Sequence, residues 1–159
     1  MKFLIGDIDK LNVSDTEISE LLHLVYVEGG FTTSDVAKKL FEPNAVRNRG
    51  FVLGAREITS NEFSGMIIVV PPKSAAIIRA QENECEIHLL GVKPKFRGCG
   101  LGRDLVAEAI EISENNNWSR IILWTQKSMK KAQCLYESCN FQQIDKIIKN
   151  GIEFLVYAR

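Results

Sequence analysis

Apolar positions in this chain recur at two spacings, every second residue and every third or fourth, and each switch of spacing marks a new element. Lys2 to Asp9 reads as a short first strand. Ser14 with Glu17 three residues on is a capping box, and Ile18, Leu21, Leu22 and Val25 continue at helical spacing to a stop at Gly29-Gly30. Ser34 opens a second short helix carrying Val36, Ala37, Leu40 and Phe41, ended near Pro43. Phe51 to Glu57 and Phe63 to Val70 read as an antiparallel hairpin turned at Thr59-Ser60-Asn61. Residues 71–83 carry no period and read as a loop.

Beyond that loop the signals are sharper. Glu84 to Val92 is a strand stopped by Pro94; a glycine-rich turn follows, then a helix with Leu101, Leu105, Ala109 and Ile112 on one face, ended by Asn115-Asn116-Asn117. Arg120 to Thr125 is a buried strand and Lys130 to Ser138 a short helix. Ile144 to Ile148 and Ile152 to Tyr157 flank Asn150-Gly151, the strongest short hairpin signal. The strand–helix–strand unit from Glu84 to Thr125 requires a parallel pair with a right-handed crossover, whereas the hairpins are antiparallel. The expected fold is therefore a mixed, mostly antiparallel twisted sheet of the α/β (α+β) class, with helices on both faces, in one domain covering residues 1–159.

Composition narrows the function classes. Hydrophobic residues make up 45% and charged residues 25% of 159, and the formal net charge is zero. That balance gives no support to a nucleic-acid or membrane-surface partner. The amino-terminal apolar run is short and broken by Asp7 and Asp9, and no stretch approaches a membrane span, so the expected location is the cytoplasm. Cys85, Cys99, Cys134 and Cys139 form no CxxC pair, and His23 and His88 are the only histidines, so no metal is expected. Reduced thiols in the core or in loops are the plain reading, with Cys99 set apart by its place inside the glycine turn.

Gly98, Gly100 and Gly102 lie between a strand and a helix. Their backbone can approach a ligand closely, their N–H groups can converge on an anion, and the helix adds its positive end. Lys95, Arg97 and Arg103 place cationic charge nearby, so a pyrophosphate is the expected guest. A Walker loop needs G-K-[ST], which is absent. A dinucleotide fingerprint needs G-x-G-x-x-G and a later acid, but the spacing is G-x-G-x-G and the next strand ends Leu123-Trp124-Thr125-Gln126. The coenzyme A loop R-x-x-G-x-G is matched by Arg97, Gly100 and Gly102.

The run from Glu86 to Gly102 resembles the central motif of the GNAT superfamily of acyl-CoA-dependent N-acetyltransferases, and Ala132, Leu135, Tyr136, Glu137 and Phe141 resemble its A-x-x-L-Y-E-x-x-G-F signature. Asn140 replaces the glycine of that signature, a mild departure because Asn tolerates the left-handed conformation. The order of elements matches too, so the resemblance covers nearly the whole chain. It implies a central parallel strand pair splayed for CoA, with Leu90, Gly91 and Val92 offering backbone atoms to the acetyl and pantetheine groups. It also implies a pyrophosphate held by Arg97, Gly98, Cys99, Gly100, Leu101, Gly102 and Arg103.

The reaction implied is direct transfer of acetyl from acetyl-CoA to a primary amine in a ternary complex, with a small or amino-acid-like amine as acceptor and a homodimer as candidate assembly. An alkylammonium, with a pKa of about 10.4, must first lose a proton. Glu84, Glu86 and His88 alternate along one strand and share a face. Glu86 stands where a histone-acetylating branch of the family carries its base; His88 and a water relay are the alternatives. Tyr136 corresponds to the family's proton donor to the departing thiolate. Trp124 and Met129 occupy positions where protein N-terminus acetylating members carry Glu and Asn, which weighs against that activity. A non-catalytic acyl-CoA sensor and a protein lysine acetyltransferase remain as alternatives.

Overall fold

A computed structural model describes residues 1–159. Seven strands form one sheet in the order β1-β2-β3-β4-β5-β7-β6. They are β1 (Phe3–Asp7), β2 (Phe51–Glu57), β3 (Phe63–Val70), β4 (Glu84–Val92), β5 (Arg120–Gln126), β6 (Gln142–Lys149) and β7 (Ile152–Ala158). Every neighbouring pair is antiparallel except β4 and β5, which run parallel. The mixed sheet read from the hydrophobic pattern is therefore the one observed, and β6–β7 turns at Asn150 and Gly151 with φ of 50° and 76°, the two positive values a tight hairpin needs.

The helices are α1 (Asp15–Leu22), α2 (Ser34–Leu40), α3 (Pro43–Arg47), α4 (Leu101–Asn115) and α5 (Lys130–Ser138). Alternation along β3 shows how they cover both faces. Ile67 and Val69 join Leu101, Leu105, Val106 and Tyr136 in one buried cluster. Met66, Ile68 and Val70 join Ile18, Leu21, Leu22, Ala37 and Val46 in the other. No helix is long and apolar enough to cross a membrane.

Two local features differ from the sequence reading. The Ser14 capping box forms, but α1 stops at Leu22 and His23–Val27 continues as a π-helical turn. That widening keeps Val25 buried and brings Tyr26 over β4. Pro43, taken as a stop, instead opens α3: it occupies the first turn, and the Glu42 carboxylate accepts from the N–H groups of Asn44 (3.1 Å) and Ala45 (2.8 Å). Proline suits the first turn because its missing N–H would have had no partner there. Asn140 has φ 64°, the left-handed conformation expected of it.

Candidate active site

The site begins where the sheet opens. β4 and β5 pair only at Glu84–Arg120, Cys85–Ile121 and Glu86–Ile122. From Leu123 onward β5 pairs with β7 alone, and from Ile87 onward β4 pairs with β3 alone. The facing edges diverge into a gap. On the β3 side, two steps from Met66 to Ile68 answer three steps from Gly91 to His88, so β4 carries a bulge, with Leu89 at φ 50°. A non-glycine residue there is strained by roughly 1–2 kcal/mol, and bulges of this kind re-aim a strand beside functional sites. The bulge turns the Leu90–Val92 backbone: the Leu90 carbonyl accepts from the Tyr26 hydroxyl at 2.9 Å and the Val92 carbonyl from Arg97 Nε at 3.0 Å.

In the turn that follows β4, the backbone N–H groups of Gly98, Cys99, Gly100, Leu101 and Gly102 have no acceptor in the protein. Five consecutive free donors run from the turn into the first residues of α4, whose N-cap is Gly100 with no side-chain cap. Gly98 (φ 78°) and Gly100 (φ 94°) face open space, since a Cβ on either would meet nothing within 4 Å. Gly102 has another reason to be glycine: a Cβ would come within 3.2 Å of Leu135, so α4 and α5 approach closely there. The donors, the open space and the helix dipole together fit a polyanion. The charge around them is smaller than the sequence suggested. Lys95 is bound, with Lys93, by the Glu62 carboxylate, which they hold below its ordinary range. Arg97 and Arg103 remain without a carboxylate partner, although Arg103 touches Ser138 at 3.3 Å.

Glu84, Glu86 and His88 do share a face, but their surroundings differ. Glu84 is paired to Arg120 at 2.7 Å. Glu86 is fully buried. Its oxygens accept from the N–H groups of Ile78 (3.1 Å), Arg79 and Ala80 (2.6 Å) and from His88 Nε2 (2.7 Å). Burial alone would raise this carboxyl, but the His88 bond and the three N–H donors outweigh it and hold the group below the usual carboxylate value. The balance is reasonable: effective burial costs an ion several kcal/mol, whereas hydrogen bonds to a charged group return about 1.5–3 kcal/mol each. Glu86 thereby pins the periodless segment 71–83, whose Ala76 and Ile77 pack on one cluster and Ala80 on another.

An ionised Glu86 can only accept, so His88 Nε2 is the donor, and in a neutral imidazole Nδ1 would keep its lone pair. No fully buried side-chain nitrogen or oxygen lacks a partner. His88 Nδ1 has no protein partner, so it reaches the open surface even though the side chain is only 6% exposed. Trp124 packs edge-on against the imidazole at 5.2 Å.

Tyr136 approaches from the opposite face. Gln133 ties α5 to the end of β5 through the carbonyls of Gln126 (3.2 Å) and Lys127 (2.8 Å), and Tyr136 stacks edge-on against Phe141 at 5.9 Å. Its hydroxyl has no protein partner and is not sealed in the core. Burial, and then the neighbouring Tyr26 phenol, push its pKa well above the tyrosine range. Tyr26 was missed by sequence reasoning. It lies in the π-helical turn after α1 and belongs to no motif, so only the structure reveals where it points. Gln126 and Phe31 were missed as well; the Gln126 amide donates to the Phe31 carbonyl at 2.7 Å and ties the α1–α2 loop to β5. The thiols are unpaired, and Cys99 Sγ is held by the Phe96 carbonyl at 2.8 Å.

These features define an α/β protein whose sheet opens beside an anion cradle. Residues 16–141 match the Acetyltransferase (GNAT) family, and the chain belongs to that family. Over 75 residues it is 37% identical to an uncharacterized N-acetyltransferase of Schizosaccharomyces pombe, a match covering 47% of this chain and 46% of that one. Over 70 residues it is 34% identical to the N-acetylaspartate synthetase of Danio rerio, covering 44% and 25% respectively. The chain thus spans less than half the length of these relatives. Among solved structures it resembles a GNAT-family acetyltransferase of Staphylococcus aureus, with TM-score 0.76, 16% identity and 99% and 98% of the two chains covered. It also resembles an N-acetyltransferase of Thermoplasma acidophilum solved in complex with coenzyme A, with TM-score 0.70, 17% identity and 98% of each chain covered.

Proposed function

We propose that residues 1–159 form one acetyltransferase domain, working in the cytoplasm, that moves acetyl from acetyl-CoA to a primary amine of a small or amino-acid-like acceptor. The observations that carry this reading are the row of five free N–H groups from Gly98 to Gly102 and a β4–β5 pairing that stops at Glu86 and Ile122. The N–H row, with Arg97 and Arg103, holds the pyrophosphate. The Leu90–Val92 backbone lines the thioester and pantetheine, and both substrates meet in the gap before reaction.

His88 Nδ1 takes the proton from the acceptor ammonium. Glu86 is a positioning residue: its ionised carboxylate fixes the His88 tautomer and stabilises the imidazolium that forms. The amine lone pair then attacks the thioester carbonyl carbon, the C–N bond forms, and the C–S bond breaks with its electron pair going to sulfur. The Tyr136 hydroxyl donates its proton to that sulfur, and the second proton shed by the new amide nitrogen passes through water to restore the phenol. Sequence reasoning put the base at Glu86 first and His88 second. The order is reversed here because both Glu86 oxygens are already occupied and the group faces no open surface.

Tyr136→Phe removes one hydroxyl and little volume, so the fold should survive. Because burial raises the phenol well above its ordinary value, the proton stays on across the working pH range. Turnover should therefore fall by roughly 10²-fold, the lower end for a positioned acid, and by the same factor from neutral to alkaline pH. A pH–rate profile of the two proteins on one acceptor checks this, and superimposable profiles remove Tyr136 from the chemistry.

A further inference from the structure

Five of the eight arginines are each matched to a carboxylate. Arg47 binds Asp9 (2.6 Å) and Asp15 (2.8 Å), Arg56 binds Glu17 (2.8 Å), Arg79 binds Asp145 (3.3 Å), Arg120 binds Glu84 (2.7 Å) and Arg159 binds Glu114 (3.2 Å). Arg97 and Arg103 flank the glycine turn, and Arg49 is the one other arginine without a carboxylate. It is half-buried between α3 and β2, makes no ion pair, and uses one guanidinium nitrogen on the Leu40 carbonyl at 2.8 Å. Its other N–H groups have no acceptor in the protein and, since no fully buried polar side-chain atom is unpartnered, they reach open surface.

The surroundings place this cation on the acceptor side of the sheet. Arg49 holds the carbonyl of Leu40, the residue next to Phe41, whose ring packs on Tyr26. Tyr26 packs on Phe41 at 5.3 Å and bonds the Leu90 carbonyl at the β4 bulge, two residues from His88. The cluster that holds Tyr26 packs on Met66, Ile68 and Val70 of β3, opposite the face covered by α4 and α5.

A plainer role is available, since Arg49 could serve only to cap the C-terminal end of α2. That end already carries Lys38 and Lys39 in its last turn, so it has no shortage of positive charge. Withdrawing a guanidinium from water without an anion is costly, and an Arg fork is shaped for a planar carboxylate.

We propose that Arg49 binds a carboxylate of the acceptor, so that the amine acetylated at His88 is one that also carries an anionic group. This rests on the acetyl-transfer reading above. The proposal distinguishes amino acids and amino-acid-like amines from neutral amines and polyamines, whose second charge would be repelled.

The test measures kcat/KM of the full chain for matched acceptors that differ only in a carboxylate against its carboxamide, in wild type, Arg49→Gln and Arg49→Lys. Wild type should prefer the carboxylate partner by roughly 10–100-fold, the worth of a hydrogen-bonded charge. Arg49→Gln should erase that preference, chiefly through KM, with acetyl-CoA affinity unchanged. Arg49→Lys, which keeps charge and loses the fork, should keep part of it and serves if the Gln variant does not fold. A wild-type preference for the carboxamide, or a carboxylate preference that survives both substitutions, overturns the proposal while leaving acetyl transfer intact. Absence of transfer to every amine overturns both.

Discussion

Gly100→Val should leave a folded protein that no longer binds acetyl-CoA at concentrations that saturate wild type. The position has φ 94°, and a Cβ there would meet nothing within 4 Å, so the substitution breaks no packing. Its cost to the fold is the strain of a positive φ, roughly 1–2 kcal/mol and more for a β-branched side chain. Its cost to binding is larger. The side chain would stand in front of the five free N–H groups, and losing even two hydrogen bonds to a phosphate at about 1.5–3 kcal/mol each amounts to 100-fold or more in affinity. Gly151→Val is the control: that glycine also has positive φ (76°) and open space around it, but lies in the β6–β7 turn. It should show the strain and none of the loss. Calorimetry on the folded variants decides; unchanged affinity in Gly100→Val removes the phosphate loop from the account.

The second large effect separates the two members of the Glu86–His88 pair. His88→Gln removes the base and should reduce turnover on the order of 10²–10⁴-fold with little change in stability or acetyl-CoA affinity. Glu86→Gln acts differently. Its amide would present N–H groups to the N–H groups of Ile78, Arg79 and Ala80, leaving donors unpaired at a cost of about 1–3 kcal/mol. Turnover should fall, but with a destabilised fold and faster amide exchange at residues 78–80. The same segment should respond to acid. Because the folded Glu86 value lies below the ordinary 4.5, its contribution is fully present above that pH and is lost as pH falls through the lowered value. Protection at residues 78–80, corrected for the intrinsic exchange rate, should therefore fall below about pH 4.5 in wild type and show no such loss in Glu86→Gln. Near-normal turnover in His88→Gln would return the base to Glu86.

What could be read from the sequence was what is local in the chain. The strand, glycines and helix from Glu84 to Asn115 are contiguous, so their spacing was enough to identify the anion cradle and tell it from two other phosphate loops. The Asn150-Gly151 hairpin and the Ser14 capping box are equally local. The rest depends on partners far apart in sequence. Glu86 and residues 78–80 meet only because the loop folds back along β4, and nothing in the composition of 71–83 announces it. Tyr26 reaches Leu90 across 64 positions. The neutralisation of Lys95 depends on Glu62, which sits far back in the chain, in the β2–β3 turn. The missed α3 has another cause: a proline can either stop a helix or begin one, and the deciding observation was the Glu42 carboxylate capping the turn behind it.

The central claim is that this chain uses its cradle and gap to transfer acetyl to an amine, rather than to hold an acyl-CoA without reacting. The most direct measurement follows free thiol released from acetyl-CoA against a panel of amines, with the acetylated product identified by mass. The account predicts amine-dependent thiol release matched one for one by an N-acetyl product and abolished in Gly100→Val. Acetyl-CoA binding by wild type with no release above the amine-free rate for any acceptor would contradict it and leave a sensor built on the same fold.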